Sequence, residues 1–262
     1  DDDFRDMVEE RVLSIDPDNA KLKSLLALDD YFDGGDIETA ARLLEEAAET
    51  DPYDSDVLFR SSRLARSAGK TDLAIELAEY AARRDPLFFW AHTNLGTYYF
   101  NAGRIEEALE RFKIAESLNK EAGAIQWKTG LALLVSGQPE AALEYFKREP
   151  QPIYQHHGTT LAFKDLGRDQ ESADWMADMH EGRSEDWPFG MARAYAWLGN
   201  ADQAFHFLEI TWVRRPTWMG GLATMPLFRK LHDDPRWLPF LEKVRQTPEQ
   251  IAAFKFDVRA PD

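Results

Sequence analysis

The chain contains no cysteine, and that absence removes several chemistries at once. Disulfide staples, thiol nucleophiles and cysteine-ligated zinc are all excluded. Basic residues are also scarce: 31 Lys and Arg stand against 47 Asp and Glu, a net charge of −16. A surface that grips nucleic acid needs clustered cations to neutralise phosphates, so no nucleic-acid partner is expected. The same imbalance disfavours an anionic membrane, and no apolar run approaches the roughly 18–20 residues that cross a bilayer. Catalytic fingerprints are missing too. There is no phosphate-cradling glycine loop, dinucleotide fingerprint, G-x-S-x-G elbow or HExxH pair. The six histidines, His92, His156, His157, His180, His206 and His232, show no ligand spacing. His156 and His157 are adjacent and would face different sides of a helix. Neither metal, cofactor nor catalytic residue is expected. Acidic pairs such as Glu45 with Glu46 and Asp233 with Asp234 read as solvated faces and caps. Asp234 before Pro235 suggests a helix N-cap with proline in the first turn.

What the chain does contain is a period. Glycines fall at Gly35, Gly69, Gly103 and Gly137, and alanines at Ala40, Ala74, Ala108 and Ala142, each set in steps of 34 residues. Pro52 and Pro86 keep the same step, with Lys120 and Tyr154 at the next two positions. A fixed period of this length marks a stacked helical array. Each repeat reads as two amphipathic helices around a short turn, clearest in NLGTYYFNAGRIEEALERFKIAESL from Asn94. Gly103 can take a positive φ without steric cost and so ends the first helix. Ala108 and Ala115 are small where helices approach closely, Tyr99 and Phe112 fill the space between helices, and Pro52 and Pro86 stop the second helix.

Leu95, Gly96, Tyr99, Ala108, Phe112 and Ala115 match the W-x2-L-G-x2-Y…A-x3-F…P pattern. The chain therefore resembles the tetratricopeptide-repeat family, with His92 where that pattern has Trp and Lys120 where it has Pro. The resemblance implies an all-α fold: an α-α superhelix of about six helix pairs with terminal capping helices. Residues 1–19 read as an N-terminal capping helix or partial repeat, 20–150 as four regular repeats and 151–215 as two degenerate ones. Residues 216–262 read as C-terminal capping helices and a tail. In the first repeat Leu28 is expected at the small first-helix position, and Ser62 in the second. The Pro-rich exit EPQPIY is expected to bend or break the array. After it the turn glycines become Gly167 and Gly199.

Near the carboxyl end, Pro226, Leu227, Phe228, Leu231, Asp234, Pro235, Arg236, Phe240 and Leu241 resemble the end of a repeat region found in bacterial signalling proteins. Those are adenylate or guanylate cyclases and winged-helix regulators, in which the array follows an effector domain. The likeness covers roughly the last 60 residues and implies a regulatory or assembly module.

In this family the first helix of each pair lines the concave face. Counting from the turn glycines places Asp29, Phe32, Asp33, Phe59, Arg63 and Arg66 there from the first two repeats. Trp90, Thr93, Thr97, Phe100 and Asn101 follow from the third, and Trp127, Leu131 and Leu134 from the fourth. Tyr154, His157, Lys164, Phe189, Arg193 and Trp197 continue the face. Aromatics and arginines are the side chains that anchor binding hot spots. The expected function is a non-catalytic protein–protein interaction scaffold that takes a peptide or protein in this groove, with Trp90 and Trp127 as a principal pair. Leu25 and Asp29 stand where a chaperone-type carboxylate clamp would need a cation and an amide, so that specialisation is not expected. Two rival readings remain open. One is a homodimer formed through exposed rings such as Trp212, Trp218 and Trp237. The other is a small-ligand sensor or enzyme using a cleft between the regular and irregular halves. The lack of cysteine suits the cytoplasm. A periplasmic location would follow had a signal peptide been removed, since the chain begins at Asp1 rather than Met.

Overall fold

The computed structural model describes residues 11–12, 14–16, 18–120, 124–183 and 186–261. The expected N-terminal capping helix lies largely outside the described residues. Twelve helices follow as six antiparallel pairs. They are α1 (Ala20–Phe32) with α2 (Ile37–Thr50), α3 (Ser55–Ser67) with α4 (Thr71–Arg84), and α5 (Phe89–Asn101) with α6 (Ile105–Leu118). Next come α7 (Ile125–Val135) with α8 (Pro139–Arg148), α9 (Pro152–Asp165) with α10 (Asp169–Arg183), and α11 (Pro188–Leu198) with α12 (Ala201–Arg214). Three 3-10 turns, Pro216–Met219, Leu222–Thr224 and Pro226–Leu231, lead to α13 (Trp237–Lys243) and α14 (Pro248–Ala253). Among the described residues no strand occurs and no helix is long and apolar enough to cross a membrane.

The periodic residues do the work their sizes permit. Each pair turns through a glycine with positive φ, and in the third and fourth pairs a first-helix glycine meets the phenylalanine of the second helix. A Cβ built on Gly96 would sit 2.6 Å from Phe112, so that ring fits only because the side chain is absent. Buried Ala74, Ala108 and Ala142 repeat the close approach on the second helices.

The first repeat is out of step with its neighbours. Its left-handed residue is Gly34 (φ +109), not Gly35, because one extra residue sits between the glycine and the Asp36 cap. The hydrogen bonds show the same shift. Gly34 N donates to Tyr31 O and Gly35 N to Asp30 O, as Gly69 N does to Arg66 O and Lys70 N to Ala65 O. The small first-helix residue is therefore the fully buried Ala27 rather than Leu28. The proline-rich exit also departs from expectation. Pro152 occupies the first turn of α9, where a missing N–H costs nothing, and the stack continues.

The carboxyl-terminal segment both covers the sixth pair and crosses the molecule to the first two. Phe240 packs edge-on against Phe205 at 6.1 Å, and Phe228 lies 5.8 Å from Phe189. Trp237 is buried in this layer beside Phe228 and His232, so it is a core ring and not an exposed dimer contact. The expected Asp234 cap is an Asx turn instead: its carboxylate accepts from Arg236 N at 2.9 Å, and α13 begins only at Trp237. On the far side Gly220 lies against the Ser67 backbone, which a side chain would block. Gln246 ties the crossing, its Oε1 accepting from Gly221 N (2.9 Å) and its Nε2 donating to Ser67 O (3.3 Å). Arg245 reaches Glu38 at 3.4 Å, Glu45 accepts from Asp257 N, and Glu76 accepts from Ala260 N. The two ends of the array are thus joined across its concave side.

Candidate functional site: a cationic cavity on the concave face

Helical spacing puts Arg63 with Arg66 on one face of α3, Thr97 with Asn101 on one face of α5, and Lys128 with Leu131 on one face of α7. Residues 63, 97 and 131 share one register position, and 94 and 128 another. The superhelix turns these faces inward, together with Arg193 of α11. The crossing segment closes them over with Trp218, Met225 and Leu227. The result is a cavity of about 330 Å³ lined by these residues with Phe32, Tyr98, Phe100 and Trp127. That is within the size range of small-ligand and side-chain pockets. A second lobe, bounded by Tyr154, Trp187 and Phe189, shares Arg66, Trp127, Arg193 and Trp218 with it.

An aromatic block holds the far wall. Trp127 stacks on Tyr154 at 5.0 Å and meets Trp187 edge-on at 5.9 Å. Its indole N–H donates to His157 Nδ1 at 3.1 Å. An indole nitrogen only donates, so His157 accepts there as a neutral ring with its proton on Nε2. Burial pushes the His157 pKa down to about 3, and the Arg193 charge adds to the effect. The α7 N-terminus that carries Trp127 is capped from a distance. Ala124 is left-handed and has no side chain to cap with, so the buried Glu149 accepts from Trp127 N at 3.1 Å and Gln151 N at 3.1 Å. Burial raises the Glu149 pKa despite those donors.

The cations are held by everything except carboxylates. The Arg193 guanidinium lies 4.2 Å from the centre of Phe189 and 5.7 Å from that of Trp127. Arg63 lies 4.7 Å over Phe32, and Lys128 Nζ donates to Thr97 Oγ1 at 3.1 Å. Among the described residues no Asp or Glu forms an ion pair with Arg66, Lys128 or Arg193, and the buried Nε atoms of Arg66 and Arg193 have no acceptor. Burial first, then the charges of Arg66 and Arg193, brings the Lys128 pKa down to about 8. Burial and Arg66 bring Arg193 to about 9. Arg66 is lowered by burial as well. Burial lowers the Arg63 pKa too, against smaller opposing effects of Tyr98 and Asp29.

The expected groove residues divide accordingly. Arg63, Arg66, Thr97, Phe100, Asn101, Trp127, Leu131 and Arg193 line the cavity, with Phe32 beside them, and Tyr154 and Phe189 line its second lobe. Others lie elsewhere. Phe59 is buried against Phe88, Thr93 and Leu134 are core, and His157 is fully buried behind Trp127. Lys164 pairs with Asp169 at 2.7 Å, and Trp197 donates to Asp165 at 3.0 Å on the outside of α11. Trp90 is 54% exposed and edge-on to Phe89, away from the cavity. It lies 37 residues before Trp127, whereas the repeat is 34, so Thr93 and not Trp90 is the equivalent of Trp127. Lys128, Tyr98 and Trp218 were not among the expected lining residues. For Lys128 the signal was available, since it stands 34 residues after Asn94 on the face that carries Leu131.

Residues 25–87 and 93–154 match the tetratricopeptide-repeat family model. No curated protein sequence matches the chain. Among solved structures, PilF of Pseudomonas aeruginosa is similar at 21% identity and a TM-score of 0.55, over 75% of this chain and 92% of that one. Two structures of MamA are similar. One has 20% identity and a TM-score of 0.53 over 63% and 92% of the two chains. The other has 21% and 0.51 over 60% and 93%. At such identities the likeness concerns the fold. The fold likeness agrees with the helix-pair repeat described above, and the family match covers its regular part: the repeats over residues 25–87 and 93–154 belong to the tetratricopeptide-repeat family.

Proposed function

We propose that the chain is a non-catalytic scaffold that holds a partner polypeptide on its concave face, as a regulatory or assembly module. The observation that carries this reading is the cavity itself. Four successive first helices and α11 converge on it, and it offers both aromatic surface and hydrogen-bond donors to a side chain entering from outside. A long peptide running the length of the groove is disfavoured, because the segment 216–231 already occupies part of that face. The partner engages through one or a few inserted side chains.

Asn94 lines the cavity, is half-buried and has no side-chain partner among the described residues, so it is a suitable place for a plug. Affinity capture from a lysate of the source organism would compare wild type with Asn94→Trp, after circular dichroism has shown both to be folded. The expected result is a partner retained by wild type and lost by the plugged variant. Equal capture by both overturns the concave face as the docking site.

Self-association is the second reading, favoured by a separate surface. Tyr53 and Leu87, one repeat apart, are 62% and 76% exposed, and Trp90, three residues after Leu87, is exposed as well. They form an apolar edge where second helices hand over to first helices. Light scattering at increasing concentration should show a dimer for wild type and a monomer for Leu87→Asp; a wild-type monomer throughout removes this reading.

A further inference from the structure

Acidic residues outnumber basic ones in this chain by 47 to 31, yet three inward-facing cations have no acidic partner among the described residues. Two like charges in a shared, partly dehydrated space repel, and taking each from water costs free energy. Salt-bridge partners would be the ordinary remedy, and acids were available in abundance. The structure offers aromatic faces instead: Phe189 and Trp127 for Arg193. Such faces hold a guanidinium in place while leaving most of its N–H groups free to donate; Arg193 Nη2 donates only to the Met225 sulfur, a weak acceptor, at 4.0 Å. Lys128 is likewise held by one hydroxyl, which leaves two of its donors uncommitted. The buried Nε atoms of Arg66 and Arg193 lack an acceptor among the described residues, so no carboxylate of the chain neutralises either group from that side. Around these cations the wall is apolar, formed by Trp127, Leu131, Trp218 and Leu227.

We propose that the cavity binds an organic anion, with its carboxylate or phosphoryl oxygens taken by Arg66, Lys128 and Arg193 and its apolar body laid against Trp127 and Trp218. The anion is either a free small molecule or an acidic side chain of a polypeptide, and both present the same chemistry. The inference names what the concave site recognises. It rests on that site being open to a ligand, not on the ligand being a polypeptide.

The test is isothermal calorimetry and thermal unfolding of the full chain at constant ionic strength. One arm uses free anions (succinate, citrate, phenylpyruvate and phenyl phosphate), with succinamide as the neutral counterpart. The second arm uses a short Glu-containing peptide amidated at its end, beside its Gln counterpart. At least one anion is expected to bind and to raise Tm with concentration, while the matching neutral compound does neither. Lys128→Met should weaken that binding by about tenfold or more, the worth of one charged hydrogen bond. Relieved of repulsion, the same variant should unfold without anion at a temperature no lower than wild type. Lys243→Met, which removes an outer-surface cation paired with Glu209, should leave binding unchanged. Binding of free anions identifies a small-molecule site, and binding of the Glu peptide alone identifies a polypeptide side chain; either supports the proposal. Absence of binding in both arms, or full binding by Lys128→Met, overturns it. Loss of capture by Asn94→Trp can occur whichever way this test falls, so the two readings fail separately.

Discussion

His157 shows how one buried side chain couples the candidate site to pH. It accepts the Trp127 indole hydrogen and must be neutral to do so. Its pKa is about 3 in the folded chain, mainly through burial, against an ordinary value of 6.5. Between those values the unfolded chain binds a proton that the folded chain does not. Stability from this group is therefore complete above pH 6.5 and falls as pH drops through the window, by up to ~1.4 kcal/mol per pH unit. Urea midpoints at pH 7 and pH 5 should differ more for wild type than for His157→Gln, whose amide oxygen still accepts from Trp127. Equal differences would assign the acid sensitivity to other groups. Gly96 makes a second case at this scale. Its missing side chain admits Phe112, and Gly96→Val should destabilise by about 1–3 kcal/mol through overpacking, read from denaturant unfolding.

At the level of the helix, Glu149 stands where the earlier repeats have Ala47, Ala81 and Ala115, for an identifiable reason. The α7 N-terminus follows a left-handed Ala124 and has no local cap, so a carboxylate from the end of α8 takes its place. Glu149→Ala leaves the buried Trp127 N–H and the part-buried Gln151 N–H without their acceptor and should cost about 1–3 kcal/mol. Glu149→Gln keeps one acceptor oxygen and should lose less. Hydrogen exchange at Trp127 N, faster in the alanine variant, locates the effect; unchanged exchange there would refute the capping role. The first repeat shows how far periodicity alone can mislead. One extra turn residue moves α1 by a single position, which exchanges Ala27 for Leu28 at the close approach and shifts every side chain by about 100° around the helix. Identical spacing of Gly35 with the later glycines concealed the slip, because Gly34 beside it performs the turn.

Across the whole molecule, the crossing segment changes how the array should unfold. In an open solenoid each repeat touches only its neighbours, so terminal repeats can fray independently. Here Gln246, Gly220 and Glu38 link the first two pairs to the carboxyl end. The eight tryptophans all lie at residue 90 or beyond, so indole fluorescence reports the later repeats while far-ultraviolet circular dichroism reports every helix. In urea the two signals should give coincident transitions for wild type. Gln246→Ala, which leaves Gly221 N and Ser67 O unpaired, should separate them, with the dichroism starting to fall at lower urea. Coincident transitions in the variant would show that the ends are held together by other contacts.

Helix pairs, their turns and the inward faces of α3, α5 and α7 were legible along the chain, because a stacked repeat imposes the same packing demand every 34 residues and writes it in small and large side chains. Arg63, Arg66, Thr97 and Arg193 follow from that register without any coordinates. The closing of the cavity does not. Trp218 and Leu227 meet residues more than a hundred positions earlier, through contacts that recur nowhere else and so leave no period to read. Whether a given ring lines a cavity or supports its wall also depends on which neighbour reaches it first. The spacing already separates Trp90 from Trp127, three positions out of register, but that Tyr154, Trp187 and His157 lock Trp127 in place is decided only by the fold. Local sequence dictates helices and their apolar stripes; the curvature that brings distant stripes together sets which cations share one space.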